Sequence, residues 1–180
     1  YFFFFIRIRN IEADSLYAGI MIDTNNFLTK TGVRTFEAAA FLRRCGADVT
    51  RVRKMFRENV EDYRAKGEAI RNAELYRDCF AISVCPSEGL ESPTVVGAQA
   101  ANELLNVVGV KASFVLTDYR STIYVSARSI DEVNVQIIME KLGGGGHLNI
   151  AGAQFEHYSI AEVRDILKQT LQKMLDEGDI

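Results

Sequence analysis

The hydrophobic period of this 180-residue chain changes near residue 76, and this change limits the folds that the chain can adopt. Before it, apolar residues recur at helical spacing, and polar residues between the segments suit helix ends. Helices are predicted at 10–22, 36–45, 49–56 and 59–75, with Asn10, Thr35 and Asp48 as N-caps. The first part of the chain is therefore expected to be mostly helical.

After residue 76, short strand-like stretches alternate with helical segments. Strands are predicted at 78–85, 111–117, 122–126 and 154–157, and helices at 94–108, 134–142 and 160–175. This order predicts an α/β fold with a mixed sheet flanked by helices. We expect three parts: a helical part at 1–58, a helical connector at 59–76 and an α/β part at 77–180.

The composition is that of an ordinary globular chain, with 48% hydrophobic and 25% charged residues. A formal net charge of −3 argues against broad nucleic-acid binding but leaves room for a local basic pocket. The three cysteines have no CxxC spacing, which predicts a reducing, cytoplasmic compartment and no structural zinc site.

No stretch approaches the roughly 18 apolar residues that a membrane span requires, so we expect no membrane contact from this chain. The opening segment Tyr1–Ile6 is very apolar but ends at Arg7 and lacks the basic start of a signal peptide. We interpret it as a strand or an edge left by truncation, which predicts that the chain is a fragment of a longer protein.

Four consecutive glycines, Gly143–Gly146, precede His147. Glycines allow positive φ and close backbone approach, so several N–H groups could point into one concavity and bind an anion. A flexible hinge is the competing interpretation, and composition alone does not separate the two. The run follows an amphipathic segment directly and contains no Ser, Pro or charge, which favours an anion-binding loop.

Arg128 and Ser129 lie where a predicted strand ends, a common place for ligand-binding groups in α/β folds. A guanidinium can bind phosphate through two hydrogen bonds, and a serine hydroxyl can add another donor. From position alone, an exposed loop arginine is the commoner explanation. The glycine run could supply backbone donors beside it, and His147 could donate to the same anion or carry a proton. His157, in a predicted strand, is expected to be structural.

Asp23 follows the apolar segment 18–22, at the expected edge of a core. A carboxylate there needs a helix cap, an arginine or a metal ion to offset its desolvation. Considered alone, an aspartate at a helix end or in a turn is the commoner case.

Two pairs of segments resemble the DHH-type phosphoesterases, in which a metal-binding DHH domain precedes a DHH-associated domain with a GGGH motif. The first pair is AGIMIDTNNF (18–27) and TKTGVRTFEAAAFLRRCGAD (29–48). The second is SARSIDEVNVQIIMEKLGGGGH (126–147) and its continuation LNIAG. The most similar branch is the GdpP-type cyclic-di-AMP phosphodiesterases. The resemblance implies that 1–58 is the end of a DHH domain, 59–76 a linker helix and 77–180 the substrate-binding domain.

The resemblance also implies roles for single residues. Asp23 would be one ligand of a two-manganese centre. Arg128 and the segment from Gly144 through Gly145 and Gly146 to His147 would hold the phosphate and nucleotide of a cyclic or short linear dinucleotide. Ile150 stands where the family pattern GGGHxxAAG has an alanine, which makes base preference less secure than phosphate binding.

The DHH triplet itself does not occur in these 180 residues, so we expect little or no turnover by this chain alone. The resemblance implies a phosphodiesterase that converts cyclic-di-AMP to linear pApA, in a membrane-anchored parent with this part in the cytoplasm, and it allows a homodimer. One alternative is an oligoribonuclease or nucleotide phosphatase of the same superfamily. Another is a non-catalytic RNA- or nucleotide-binding module, as at the end of alanyl-tRNA synthetases, which the acidic net charge disfavours.

Overall fold

A computed structural model describes residues 8–130 and 132–180, so the predicted strand at Tyr1–Ile6 lies outside the described residues. The chain divides into two compact units, the first ending at Glu58 and the second running from Asn59 to Ile180. None of the helices in the described ranges is long and apolar enough to cross a membrane.

The first unit contains the three helices that the periodicity predicts. They are α1 (Asn10–Asp23), α2 (Val33–Arg44) and α3 (Val49–Met55). Its small core is formed by Ala13, Leu42 and Ala47. Asp48 caps α3 as predicted, because its carboxylate accepts a hydrogen bond of 2.9 Å from the Arg51 N–H.

Two of the predicted N-caps in this unit are wrong. Helix α2 begins at Val33 with Gly32 as its N-cap, and the hydroxyl of Thr35 accepts from the Gly32 N–H at 3.3 Å. Glycine has no side chain to cap the helix, so this hydroxyl, three residues into it, satisfies the Gly32 N–H instead. Helix α1 has Arg9 rather than Asn10 as its N-cap, and the backbone N–H of Arg9 donates to the Glu12 carboxylate.

The second unit is an α/β layer built on a six-stranded sheet of order β1-β2-β3-β4-β6-β5. The strands are β1 (Glu74–Tyr76), β2 (Phe80–Cys85), β3 (Ala112–Tyr119), β4 (Thr122–Ser129), β5 (Gly145–His147) and β6 (Ile150–Glu156). The pair β2–β3 is parallel and the other pairs are antiparallel, which confirms the predicted mixed sheet. The helices are α4 (Val60–Arg71), α5 (Pro93–Leu104), α6 (Val135–Lys141) and α7 (Ile160–Glu177).

The two faces of the sheet are covered unequally. On one face, α6 and α7 pack over β2, β3, β4 and β6 and form the larger core, in which Phe114, Leu116 and Leu167 are fully buried. On the other face, the core under α4 and α5 includes residues of β2 and β3 only. Within the described residues of the second unit, no helix core covers this face of β4, β6 and β5 beside α5.

The structure differs from the prediction mainly at the sheet edges. The sequence predicts a helix over 59–75, but α4 ends at Arg71 and β1 follows it at Glu74–Tyr76. Strand β5 begins within the glycine run and ends at His147, and β6 begins at Ile150 rather than at residue 154. Strands of three residues carry too short a pattern to be recognised, and they exist because a neighbouring strand pairs with them. Whether 59–76 links two domains stays a prediction.

Candidate functional site

The glycine run is partly the end of a helix and partly a strand. Gly143 has φ +77° and follows α6, and its N–H donates to the Glu140 carbonyl at 3.0 Å. The Gly144 N–H donates to the Met139 carbonyl at 2.8 Å. Two N–H groups of the run therefore satisfy the last turn of α6, and the following residues form the edge strand β5 rather than a flexible hinge.

The glycines differ in what a side chain would meet. A Cβ at Gly144 would lie 2.7 Å from the Cα of Ala153, and one at Gly146 would lie 2.5 Å from the Cα of Ala151. Both positions need glycine because β6 passes so closely. A Cβ at Gly145 would meet no atom within 4 Å. The packing of the protein therefore explains Gly144 and Gly146 but does not explain Gly145.

A groove with a volume of about 520 Å³ opens on the uncovered face of the sheet. It is bounded by the first turn of α5, by β4 and β6, and by the glycine run. Its lining residues are Thr94, Tyr124, Val125, Ser126, Gly143, Gly144, Gly145, Gly152, Ala153 and Gln154. Of the predicted site residues, Gly144 and Gly145 line this groove.

Arg128 lies on the same face of β4 as Tyr124 and Ser126, because side chains alternate along a strand and these three are half-buried between buried neighbours. The sequence predicts that the strand ends before Arg128. In the structure β4 continues to Ser129, so Arg128 lies within the strand. Its Nη1 donates to the Ala127 carbonyl at 2.8 Å. Its buried Nε has no hydrogen-bond partner among residues 8–130 and 132–180. Burial lowers the pKa of this guanidinium.

His147 shares this face by strand register. It is paired with Ile150 on β6, which in turn is paired with Arg128 on β4. Two strand spacings separate the backbones of His147 and Arg128 by about 10 Å. The His147 side chain is exposed, so a ligand lying across β6 could contact both side chains.

Ser129 faces the opposite way from Arg128. It is 6% exposed, and its hydroxyl lies 3.5 Å from Oδ1 of Asn149. Structure and prediction also differ at His157, which follows β6 at an exposed turn position with φ +64° instead of lying in a strand.

Asp23 is the last residue of α1 and is exposed. In the part of the chain that the structure describes, no three His, Cys, Asp or Glu side chains come together to hold a metal ion. Asp23 could supply one metal ligand, and the described residues do not fit a complete two-metal centre.

The groove also contains four polar residues that the sequence did not predict as site residues: Thr94, Tyr124, Ser126 and Gln154. A usable signal was present for two of them, since the alternation of TIYVSARS places Tyr124 and Ser126 on the side of Arg128. Gln154 could be found only through the register of β6, where it lies directly opposite Tyr124.

Comparison with known proteins identifies the relatives of the chain. The profile of the DHHA1 domain matches residues 80–173. The chain is 44% identical over 157 residues to the cyclic-di-AMP phosphodiesterase PdeA of Listeria monocytogenes, covering 87% of this chain and 24% of that protein. It is 42% identical over 175 residues to the cyclic-di-AMP phosphodiesterase GdpP of Bacillus subtilis, covering 96% and 27%. The chain thus spans about a quarter of the length of these relatives.

Among solved structures, an exopolyphosphatase-related protein from Bacteroides fragilis superposes with a TM-score of 0.82. The alignment covers 93% of this chain and 51% of that one, at 24% identity. At this identity the likeness supports the fold alone, and it agrees with the predicted α/β architecture.

Proposed function

This chain belongs to the DHHA1 domain family, and on that premise we propose that it supplies the nucleotide-binding part of a phosphodiesterase that hydrolyses cyclic-di-AMP to linear pApA. Relatives that are cyclic-di-AMP phosphodiesterases support this substrate, although the chain spans only part of their length. The proposal assigns substrate binding to residues of the second unit.

The observation that carries the proposal is the half-buried guanidinium of Arg128, whose Nε has no hydrogen-bond partner among the described residues. A half-buried cation without a carboxylate is costly, because its desolvation is not offset by an opposite charge. Burial is the cause of its lowered pKa, and no acidic residue in the described ranges counters it. A phosphate on the open face of the sheet would supply the missing charge and accept from Nε.

The other residues on this face have complementary roles in the proposal. His147 would donate a hydrogen bond to the same phosphate from across β6. Gly145 would let the ligand backbone approach the sheet closely. Ser129 is buried on the opposite face, so we assign it to positioning the loop after β5 and not to direct contact. Asp23 would contribute at most one ligand to a manganese centre.

Binding of cyclic-di-AMP by calorimetry tests the proposal. We expect Arg128→Gln to weaken binding on the order of 10-fold or more, the usual effect of losing a charged hydrogen bond. Arg71→Gln, an equal charge change at the exposed end of α4, is the matched control and should leave affinity unchanged. Equal affinity of Arg128→Gln and the unaltered chain would overturn the proposal.

Turnover assays separate the proposed substrate from its rivals. The chain is incubated with manganese and cyclic-di-AMP, linear pApA or 3′-phosphoadenosine 5′-phosphate in parallel. We expect little or no turnover, because the described residues do not complete a two-metal centre. Hydrolysis of cyclic-di-AMP that Asp23→Ala abolishes would overturn the assignment of this chain to binding alone. Tighter binding of either linear compound would favour the nucleotide phosphatase alternative.

A further inference from the structure

Positive charge is concentrated in one short segment of the first unit. Residues 43–57 contain six arginine and lysine side chains and a single carboxylate, Asp48, although the formal net charge of the whole chain is −3. The segment comprises the end of α2, the turn after it, α3 and the two residues that follow α3. A cationic segment in an acidic chain creates a local field that attracts anions.

Four of these six cations have no partner in the described part of the chain. Arg51 is paired with the Asp14 carboxylate at 2.6 Å, and Arg43 donates to the Ala47 carbonyl. Among residues 8–130 and 132–180, the other four side chains form no ion pair or hydrogen bond, and all are exposed: Arg44, Arg53, Lys54 and Arg57. These charges are therefore available to an anionic partner.

Three of the free cations share one side of α3. Val52 is the buried residue of this helix. At about 3.6 residues per turn, Arg53, Lys54 and Arg57 lie on the side away from Val52. The Arg57 N–H extends the last turn by donating to the Lys54 carbonyl at 3.4 Å. We refer to Arg53, Lys54 and Arg57 as the α3 cation cluster.

Exposed apolar side chains flank the α3 cation cluster. Val49, Met55 and Phe56 are 43%, 50% and 39% exposed, within the same nine residues. This combination is typical of segments that lie at a bilayer surface, because lysine and arginine attract anionic headgroups and apolar groups enter the boundary with the acyl chains. A nucleic acid would use the cations but would gain little from Val49 and Met55, since bases stack on aromatic rings.

We propose that the α3 cation cluster, together with Met55 and Phe56, docks on the surface of an anionic lipid bilayer. The arginine and lysine side chains bind headgroup phosphates, and the two apolar side chains enter the interface. Such contact needs no spanning helix, whereas the expectation of no membrane contact drawn from the sequence concerns spans alone. The contact involves none of the residues assigned to nucleotide binding.

Co-sedimentation of the full chain with lipid vesicles tests the proposal. One set of vesicles contains phosphatidylcholine alone, and the other contains phosphatidylcholine and phosphatidylglycerol. At an ionic strength of about 0.01 M, where the screening length is about 30 Å, we expect binding to the anionic set to be on the order of 100-fold tighter than to the neutral set. Equal binding to the two sets, or binding to neither, would overturn the proposal.

Charge removal locates the contact. A triple variant with Arg53→Gln, Lys54→Gln and Arg57→Gln should lose about 100-fold in binding to anionic vesicles, because each cation near such a surface contributes about 5-fold. Its affinity for cyclic-di-AMP should equal that of the unaltered chain. Unchanged vesicle binding by the triple variant would contradict the role of the cluster.

The matched control removes the same number of charges from exposed positions of the second unit: Arg64→Gln, Arg71→Gln and Arg120→Gln. It should bind vesicles like the unaltered chain. An equal loss in this control would show that net charge rather than the α3 cation cluster governs binding, and would overturn the proposal. Helical circular dichroism verifies that each variant is folded.

Two further measurements test the apolar part of the contact and the rival partner. Met55→Ser should weaken binding to anionic vesicles several-fold, and unchanged binding would contradict entry of this side chain into the interface. A single-stranded oligonucleotide is added to the full chain at the same ionic strength. Oligonucleotide binding that the triple variant loses, without binding of the unaltered chain to anionic vesicles, would overturn the membrane assignment in favour of a nucleic acid.

Discussion

At the scale of single residues, the glycine run gives a prediction about stability. Gly146 has φ +151°, and a Cβ there would lie 2.5 Å from both the Cα of Ala151 and the Ile150 carbonyl oxygen. Gly146→Ala should therefore lower the free energy of unfolding by about 1–3 kcal/mol. Gly145→Ala, one residue away with open space around its Cβ, should change it by less than about 1 kcal/mol. Urea unfolding of the two variants measures this difference, and equal losses would refute the separate roles of the two glycines.

The residue scale is also where the sequence is least informative. In the sequence, the four glycines of GGGGH are indistinguishable. Their different roles depend on their contacts with β6, and the sequence does not show that β6 lies beside them. The orientation of Arg128 and Ser129 to opposite faces follows from strand alternation, but only once β4 is known to run to Ser129. The sequence could thus indicate which residues belong to a candidate site. Their arrangement could be found only from the register of the sheet.

At the scale of elements, α3 is tied to α1 by a buried charge. Asp14 is 3% exposed, accepts from the Arg51 Nε at 2.6 Å and accepts from the Asp48 N–H at 2.7 Å. The hydrogen bond from Arg51, followed by that from the Asp48 N–H, lowers the pKa of the Asp14 carboxyl. Because this pKa is lower in the folded state, Asp14 adds stability above its unfolded pKa of about 4, and this stability is lost as the pH falls through the folded pKa.

We expect the first unit to lose stability as the pH falls, and we expect part of that loss to come from protonation of Asp14. At pH 7, Asp14→Asn should unfold at a lower urea concentration than the unaltered chain. The difference between the two urea midpoints, the gap, should be smaller at pH 3. Glu37→Gln, an exposed position on α2, is the control and should keep the pH dependence of the unaltered chain. Helical circular dichroism at each pH follows unfolding. A gap that stays the same at both pH values would contradict the role of the ionised Asp14.

Helices that contain several turns of periodic apolar residues, or a clear N-cap, could be predicted from the sequence. Short strands that depend on hydrogen bonds to a neighbouring strand could not. Asp48 caps α3 as the sequence indicates, since a cap acts on its own backbone neighbours, and Asn134 caps α6 in the same way. Strands β1 and β5 have three residues each, and their hydrogen bonds come from strands elsewhere in the chain. Local pattern therefore describes the helices and the central strands, and tertiary pairing determines the sheet edges.

At the scale of the whole molecule, every residue assigned to nucleotide binding belongs to the second unit, which runs from Asn59 to Ile180. This unit has two cores of its own, one on each face of the sheet. The first unit has a small core and exposes large apolar side chains, with Leu28 and Val33 more than 70% exposed. The two units are therefore expected to differ in how well they fold and stay monomeric in isolation.

A chain comprising residues 59–180 should accordingly fold cooperatively and bind cyclic-di-AMP within about 2-fold of the affinity of the full chain, because the groove and both cores are intact. A chain ending at residue 58 should associate or aggregate, since large apolar side chains such as Leu28 and Val33 are exposed on it. Thermal unfolding and cyclic-di-AMP binding of 59–180, with size-exclusion chromatography of both pieces, measure these outcomes. Loss of cyclic-di-AMP binding by a folded 59–180 chain would place part of the binding site in the first unit and overturn the assignment of the groove to the second.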